Sequence, residues 1–238
     1  MIKFFRNIRH QLIKKGKTTN YLKYAIGEIV LVVVGILLAL QINNWNVDRI
    51  DKIAENKFYV NLKAELTEDK LEIIGNIEYN IDDIEKLKYG VQIIEMNDRK
   101  SVDTLGHISM SLFRYSDAYI QNNLYNTILN SGEIKLVNNT KIIKGIRQLE
   151  ETYLYINKME DIHRDIVLNS GADILMKNIK FTNSEIQHRD VLFAFEFQNL
   201  LLVYLHVMGE KNEIYNRALD EIQAIIELID EELKYQNQ

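Results

Sequence analysis

"YAIGEIVLVVVGILLALQINNW", Tyr24 to Trp45, is the stretch whose reading decides the architecture. Within it, Ala25 to Ile42 forms a run of eighteen residues in which only Glu28 and Gln41 are neither apolar nor glycine. At 1.5 Å per residue such a helix is about 27 Å long, against about 30 Å for the hydrocarbon core of a bilayer. The run is long enough to span. A secretory signal peptide also has a basic start and an apolar middle, but it ends at small residues in an A-x-A-like site. Here Leu37, Leu38 and Leu40 surround Ala39, so the expectation is an uncleaved anchor.

Charge sets the expected orientation. Residues 1–24 hold seven Lys and Arg and no Asp or Glu, whereas 43–57 mix both signs. The positive-inside bias therefore puts the N-terminus in the cytoplasm and the rest outside it, with Tyr24 and Trp45 at the two headgroup levels. The whole chain carries −5, so the part after residue 24 carries −12. That acidic balance argues against nucleic acid as a partner, because phosphate binding draws on clusters of Lys and Arg. Ahead of the span, Ile2, Phe4, Phe5, Ile8, Leu12 and Ile13 share one helical face, the pattern of a helix lying in the inner-leaflet interface. Gly16 to Asn20 reads as the turn into the span. The chain has no cysteine, which is compatible with an oxidising compartment and requires none.

The expected organisation is a cytoplasmic basic amphipathic segment (1–20), a transmembrane helix (21–45) and an extracytoplasmic, periplasmic helical bundle (46–238). The fold class is all-α, with the spanning helix continuing into an antiparallel bundle. Proline is absent from all 238 residues and the ten glycines are scattered, so long helices are the natural outcome. Apolar residues recur at three and four along Ile73, Ile77, Ile81, Ile84, Leu87, Val91 and Ile94. The same spacing recurs from Ile142 to Ile156 and from Ile214 to Ile229.

The first helix is expected to run to about Glu95, with Asn97 to Thr104 as its turn. A second begins near Tyr119 and stops at Gly132, a left-handed cap; Asn139 then caps a third, from Thr140 to about Lys177. The last begins near Asp190, and its run "VLFAFEFQNLLLVYLHVM" is apolar on most sides and expected to be the most buried. Glu196, Gln198, Asn199 and His206 interrupt that run and argue against a second span.

The opening "MIKFFRNIRHQL", the span, "LYNTILNSGEIKLVNN" and "IIELIDEELK" together resemble a family of single-pass membrane proteins from flavobacteria and their relatives, a domain of unknown function numbered 6090. The Tyr-x-x-x-Leu-x-Ser-Gly element is present as Tyr125, Leu129, Ser131 and Gly132, while the middle of the chain departs more freely. The resemblance implies a Gram-negative inner-membrane protein and brings no activity with it.

Glu28 is the most suggestive single residue, since an ionisable group inside a span is costly. It shares a helical face with Gly35 and Ala39, a small-x-x-x-small pair that lets two helices approach closely. Three readings stand: a carboxylate snorkelling toward Lys23, a contact with a second copy or another membrane protein, or a proton-coupling group. Two Glu-x-x-His pairs, Glu160 with His163 and Glu185 with His188, have the spacing used in di-iron bundles, but no alternating Glu comes from other helices. Solvated or singly hydrogen-bonded side chains are the expectation there, with no metal and no cofactor. Phe113, Tyr115, Tyr119 and Tyr125 either line a ligand pocket or close one end of the core.

No Gly-x-Ser-x-Gly, His-Glu-x-x-His or glycine-rich phosphate loop occurs. The functional expectation is a non-enzymatic scaffold or accessory subunit tethered in the membrane, partnered through its span. The alternative is a bundle that senses a small molecule and signals through a partner.

Overall fold

The computed structural model describes residues 18–113, 120 and 124–236. Among the described residues six α-helices carry the fold: α1 Thr18–Glu95, α2 Val102–Met110, α3 Leu124–Ser131, α4 Thr140–Ile166, α5 Ala172–Asn178 and α6 Phe195–Gln236. A two-stranded antiparallel hairpin, β1 Ile179–Lys180 and β2 Glu185–Ile186, pairs Ile179 with Ile186. The all-α class and the helical bundle match the sequence reading. The chain divides into two units, 1–55 and 56–238.

Among the described residues one helix, in the first unit, has a stretch long and apolar enough to cross a membrane, by length and composition. Its best eighteen-residue window has a mean hydropathy of 2.5, and none of it is buried. From Ile29 to Ile53 every residue is exposed. At the polar end the Arg49 guanidinium lies 5.9 Å from the centre of the Trp45 ring. The helix already includes Thr18 to Asn20, so the expected turn is not at those three residues. The expected amphipathic segment falls almost wholly outside the described residues.

In the second unit, polar pairs fix the direction of the three long helices. Lys63 Nζ reaches Asp230 Oδ1 at 2.5 Å, Lys70 Nζ reaches Gln223 Oε1 at 2.8 Å, and Asn80 Nδ2 reaches Asn212 Oδ1 at 3.0 Å. Rising numbers on α1 meet falling numbers on α6, so the two are antiparallel. Asn139 with Glu232 and Gln148 with Glu221 show the same for α4 and α6. The α1 and α4 segments run parallel and meet where Tyr153 Oη donates to Asp69 Oδ2 at 2.6 Å.

The apolar stripes build two separate cores. One gathers Leu66 and Ile73 of α1, Ile146 and Tyr153 of α4, and Ile222 and Ile229 of α6. The other gathers Leu87 and Val91 of α1, Leu105 of α2, Leu175 of α5, and Phe197 and Met208 of α6.

Several boundaries differ from the sequence reading. Asn97, at φ 50°, turns the chain after α1. Asp98 then accepts from Lys100 N at 3.2 Å, so a short 3-10 turn and α2 begin before Thr104. Gly132 does adopt the left-handed conformation, at φ 79°, and Asn139 does cap α4 by accepting from Lys141 N. The chain stays helical from Thr140 to Asn178, but Val167–Gly171 widens into a π-helical turn. Asp190 lies in a 3-10 turn, and extended Ala194 delays α6 to Phe195. The apolar run there is less buried than expected: Phe195 and Leu202 are 68% and 46% exposed. One face of α6 meets the core and another meets solvent.

Candidate functional site

Between the two cores lies a layer of polar side chains. The first core stops near Ile73, Ile156 and Ile214, and the second resumes at Leu87, Val167 and Met208. In the gap α1 contributes Asn80 and Asp83, α4 contributes Asn157, Glu160 and His163, and α6 contributes Lys211. All six are buried. The three-four spacing that turns apolar residues inward elsewhere on α4 also turns Glu160 and His163 inward, so the sequence pattern continues while its chemistry changes.

Lys211, with 0% exposure, organises the layer. Its Nζ donates to Glu160 Oε2 at 2.8 Å and lies 3.3 Å from His163 Nδ1. The other carboxylate oxygen, Oε1, accepts from the Tyr215 hydroxyl. Burial, and after it the neighbouring Lys211 charge, together push the His163 imidazole down to about 3. His163 is therefore neutral at ordinary pH. An ammonium has no lone pair, so Nδ1 must accept from it, which places the imidazole proton on Nε2.

Around this group the ring of His163 meets Tyr204 edge-on at 5.5 Å. Tyr204 Oη donates to Leu112 O at 3.0 Å, and burial raises its hydroxyl above the ordinary tyrosine range. Gly171, in the π-helical turn, makes room for that hydroxyl: a Cβ there would stand 2.6 Å from Tyr204 Oη. Asn157 Nδ2 donates to Ile120 O at 2.9 Å.

The geometry corrects the reading of the first Glu-x-x-His pair in part. Both side chains are buried; Glu160 accepts from two donors, Lys211 and Tyr215, while His163 meets the same Lys211 ammonium through Nδ1, about fifty residues further along the chain. The positive charge that a metal would bring to such a pair is supplied here by a side chain. Glu185 and His188 are both exposed, and the Glu185 carboxylate accepts from Asn183 Nδ2 at 3.2 Å. Among the described residues no three His, Asp or Glu side chains are grouped to hold a metal.

Of the aromatic set, Phe113 is half-buried and packs edge-on against Phe181, with ring centres 4.7 Å apart. Tyr115 and Tyr119 lie outside the described residues, as does the side chain of Tyr125. Glu28 is half-buried on α1, while Gly35 and Ala39 are exposed, with no atom within 4 Å of where a Gly35 Cβ would stand.

A family of unknown function, DUF6090, matches over residues 28–208. The chain belongs to the DUF6090 family. The DUF6090 match takes in most of the apolar helix, the second core, the α1 and α4 parts of the first core and the Glu160–His163 side of the polar layer, and ends three residues before Lys211. No curated protein and no solved structure matches the chain.

Proposed function

We propose that this DUF6090 protein is a membrane-anchored helical accessory module and not an enzyme. Its N-terminus lies in the cytoplasm, its span runs from about Ala25 to Ile42, and its bundle faces the periplasm. The observation that carries the reading is the apolar surface of α1, where Ile29, Leu31, Ile36, Leu37 and Ile42 are all more than half exposed. A contiguous apolar surface of this kind marks a membrane or protein contact, and its eighteen-residue length fits a bilayer. The buried polar layer fits a structural role, since Lys211 and Tyr215 both donate to Glu160 and Lys211 also reaches His163 inside the bundle. Partners are reached through the face of Glu28, Gly35 and Ala39, either as a second copy of this chain or as another membrane protein.

A reporter enzyme fused after Gln238 tests the topology. Alkaline phosphatase is expected to be active there and a cytoplasm-dependent reporter silent. The opposite pattern would overturn the orientation. Release of the full chain from membranes by alkaline carbonate would overturn the span itself.

A further inference from the structure

With the span and orientation proposed above, the apolar surface of α1 continues past the hydrocarbon. Ile50 and Ile53 lie eight and eleven residues beyond Ile42, about 12 and 17 Å along the helix, whereas a headgroup layer is about 5–8 Å deep. Both are more than half exposed, so the rest of the chain leaves them open and the bilayer does not reach them. Between Asn43 and Glu55 the five charged residues are Asp48, Arg49, Asp51, Lys52 and Glu55. All five stand about 100° or more around the helix axis from Ile50. The contact of Arg49 with the Trp45 ring belongs to that charged side as well.

The open side carries a regular repeat. Ile36, Ala39, Asn43, Asn46, Ile50 and Ile53 follow one another at three and four, the a and d spacing of a coiled coil. Counted from Ile29, the stripe runs for about three and a half heptads, long enough to hold two helices in one register. Lys57, next in the repeat, ends it. Ala39 lies in this seam and Gly35 flanks it, so the face already assigned to partners is the membrane part of one longer stripe.

Asn43 and Asn46 decide the occupant. An amide in an apolar seam needs a partner that both donates and accepts, and a second amide does both. Two copies of one chain share a membrane orientation, so their α1 helices are parallel, and in register Asn43 meets Asn43. A single polar Asn at an a position is a device that fixes register and a two-stranded state. Charge agrees: a parallel pair sets Ile42 against Val47 and Arg49 against Ala54, so no like charges meet along the seam. We propose that α1 pairs in parallel and in register with α1 of a second copy of this chain, along a seam that leaves the membrane and reaches Ile53. The pairing rests on the membrane-anchored reading and names its partner.

The chain has no cysteine, so single cysteines introduced into the full chain report proximity without background. Two differently tagged forms with the same cysteine are coexpressed and oxidised in intact membranes, and disulfide-linked product carrying both tags is measured. Asn46→Cys, Ile50→Cys and Ile53→Cys are expected to give at least about fivefold more of it than Asp48→Cys, Asp51→Cys and Lys52→Cys, because a disulfide needs Cα atoms within about 7 Å. Adding Ile53→Glu to Ile50→Cys places two carboxylates in the seam and is expected to lower the yield to that of the charged face. All these positions are exposed, and an unchanged helical circular dichroism spectrum in detergent checks that the fold is kept.

Equal yields on both faces would mean random collision and overturn the pairing. So would the absence of two-tag product, or an Ile53→Glu change without effect. Cross-linking to a different protein in place of two-tag product would likewise overturn the second copy, while the membrane anchor stands. Release of the chain by alkaline carbonate would instead overturn the anchor itself.

Discussion

Lys211 brings a positive charge into the buried polar layer between the two apolar cores, and its stability rests on the carboxylate beside it. Removing one partner of a buried ion pair leaves the other uncompensated, which costs about 3–5 kcal/mol, whereas replacing both by apolar groups is often neutral. Lys211→Met is therefore expected to destabilise the bundle by that amount, and adding Glu160→Leu to recover much of it. Denaturant unfolding of the four proteins in a mutant cycle measures this. Additive losses would mean that the two side chains do not act as a pair.

His163 supplies a separate signature, in pH. Its folded value is held near 3 against an ordinary 6.5, so between these values the unfolded chain binds the extra proton. Stability contributed by the neutral ring is full above pH 6.5 and is lost as pH falls toward 3, by up to about 1.4 kcal/mol per pH unit. In His163→Gln, whose amide oxygen can still accept from Lys211, the fall in stability below pH 6.5 is expected to be shallower. Identical pH slopes in the two proteins would contradict a buried neutral imidazole.

Elements were legible in the sequence where a local signal had a local cause. Gly132 was readable because a helix end needs a residue that tolerates the left-handed conformation, and Asn139 because its side chain caps its own helix. The end of α1 at Glu95 follows from the apolar repeat running out. The π-helical turn and the hairpin carried no such signal, because both answer to neighbours far along the chain. Gly171 is small on account of Tyr204, and Glu160 and His163 turn inward on account of Lys211. Of their neighbours at the same spacing, Met159 is buried as well, while Ile162 is 37% exposed.

Gly171 therefore makes a sharper test than Gly132. A methyl group at Gly171 would collide with a hydroxyl that is already bonded to Leu112 O, so Gly171→Ala is expected to cost about 1–3 kcal/mol as overpacking. Gly132→Ala meets no neighbouring atom and is expected to cost only the backbone penalty, about 1 kcal/mol. Thermal unfolding that ranked Gly132→Ala as the more damaging would reverse this account of the π-helical turn.

At the scale of the whole molecule, the apolar helix and the bundle pose separate questions, and the face of Glu28, Gly35 and Ala39 belongs to the first. Helices in lipid gain no hydrophobic drive from meeting one another, so close approach depends on small residues that let backbones touch. Around Gly35 the surface is open, which leaves space for a neighbouring helix. Gly35→Leu fills that space while keeping the segment at least as apolar, so it is expected to reduce cross-linking between spans and leave membrane insertion unchanged. Glu28→Gln keeps size and hydrogen-bonding capacity but removes the titratable proton. If Glu28 only snorkels or makes a contact, that change leaves cross-linking and function nearly intact. If it carries protons for a partner, function is lost while the cross-links persist. Cross-links unaffected by Gly35→Leu would show that no helix packs on this face, and Glu28 would then be a carboxylate reaching the headgroups from a plain anchor.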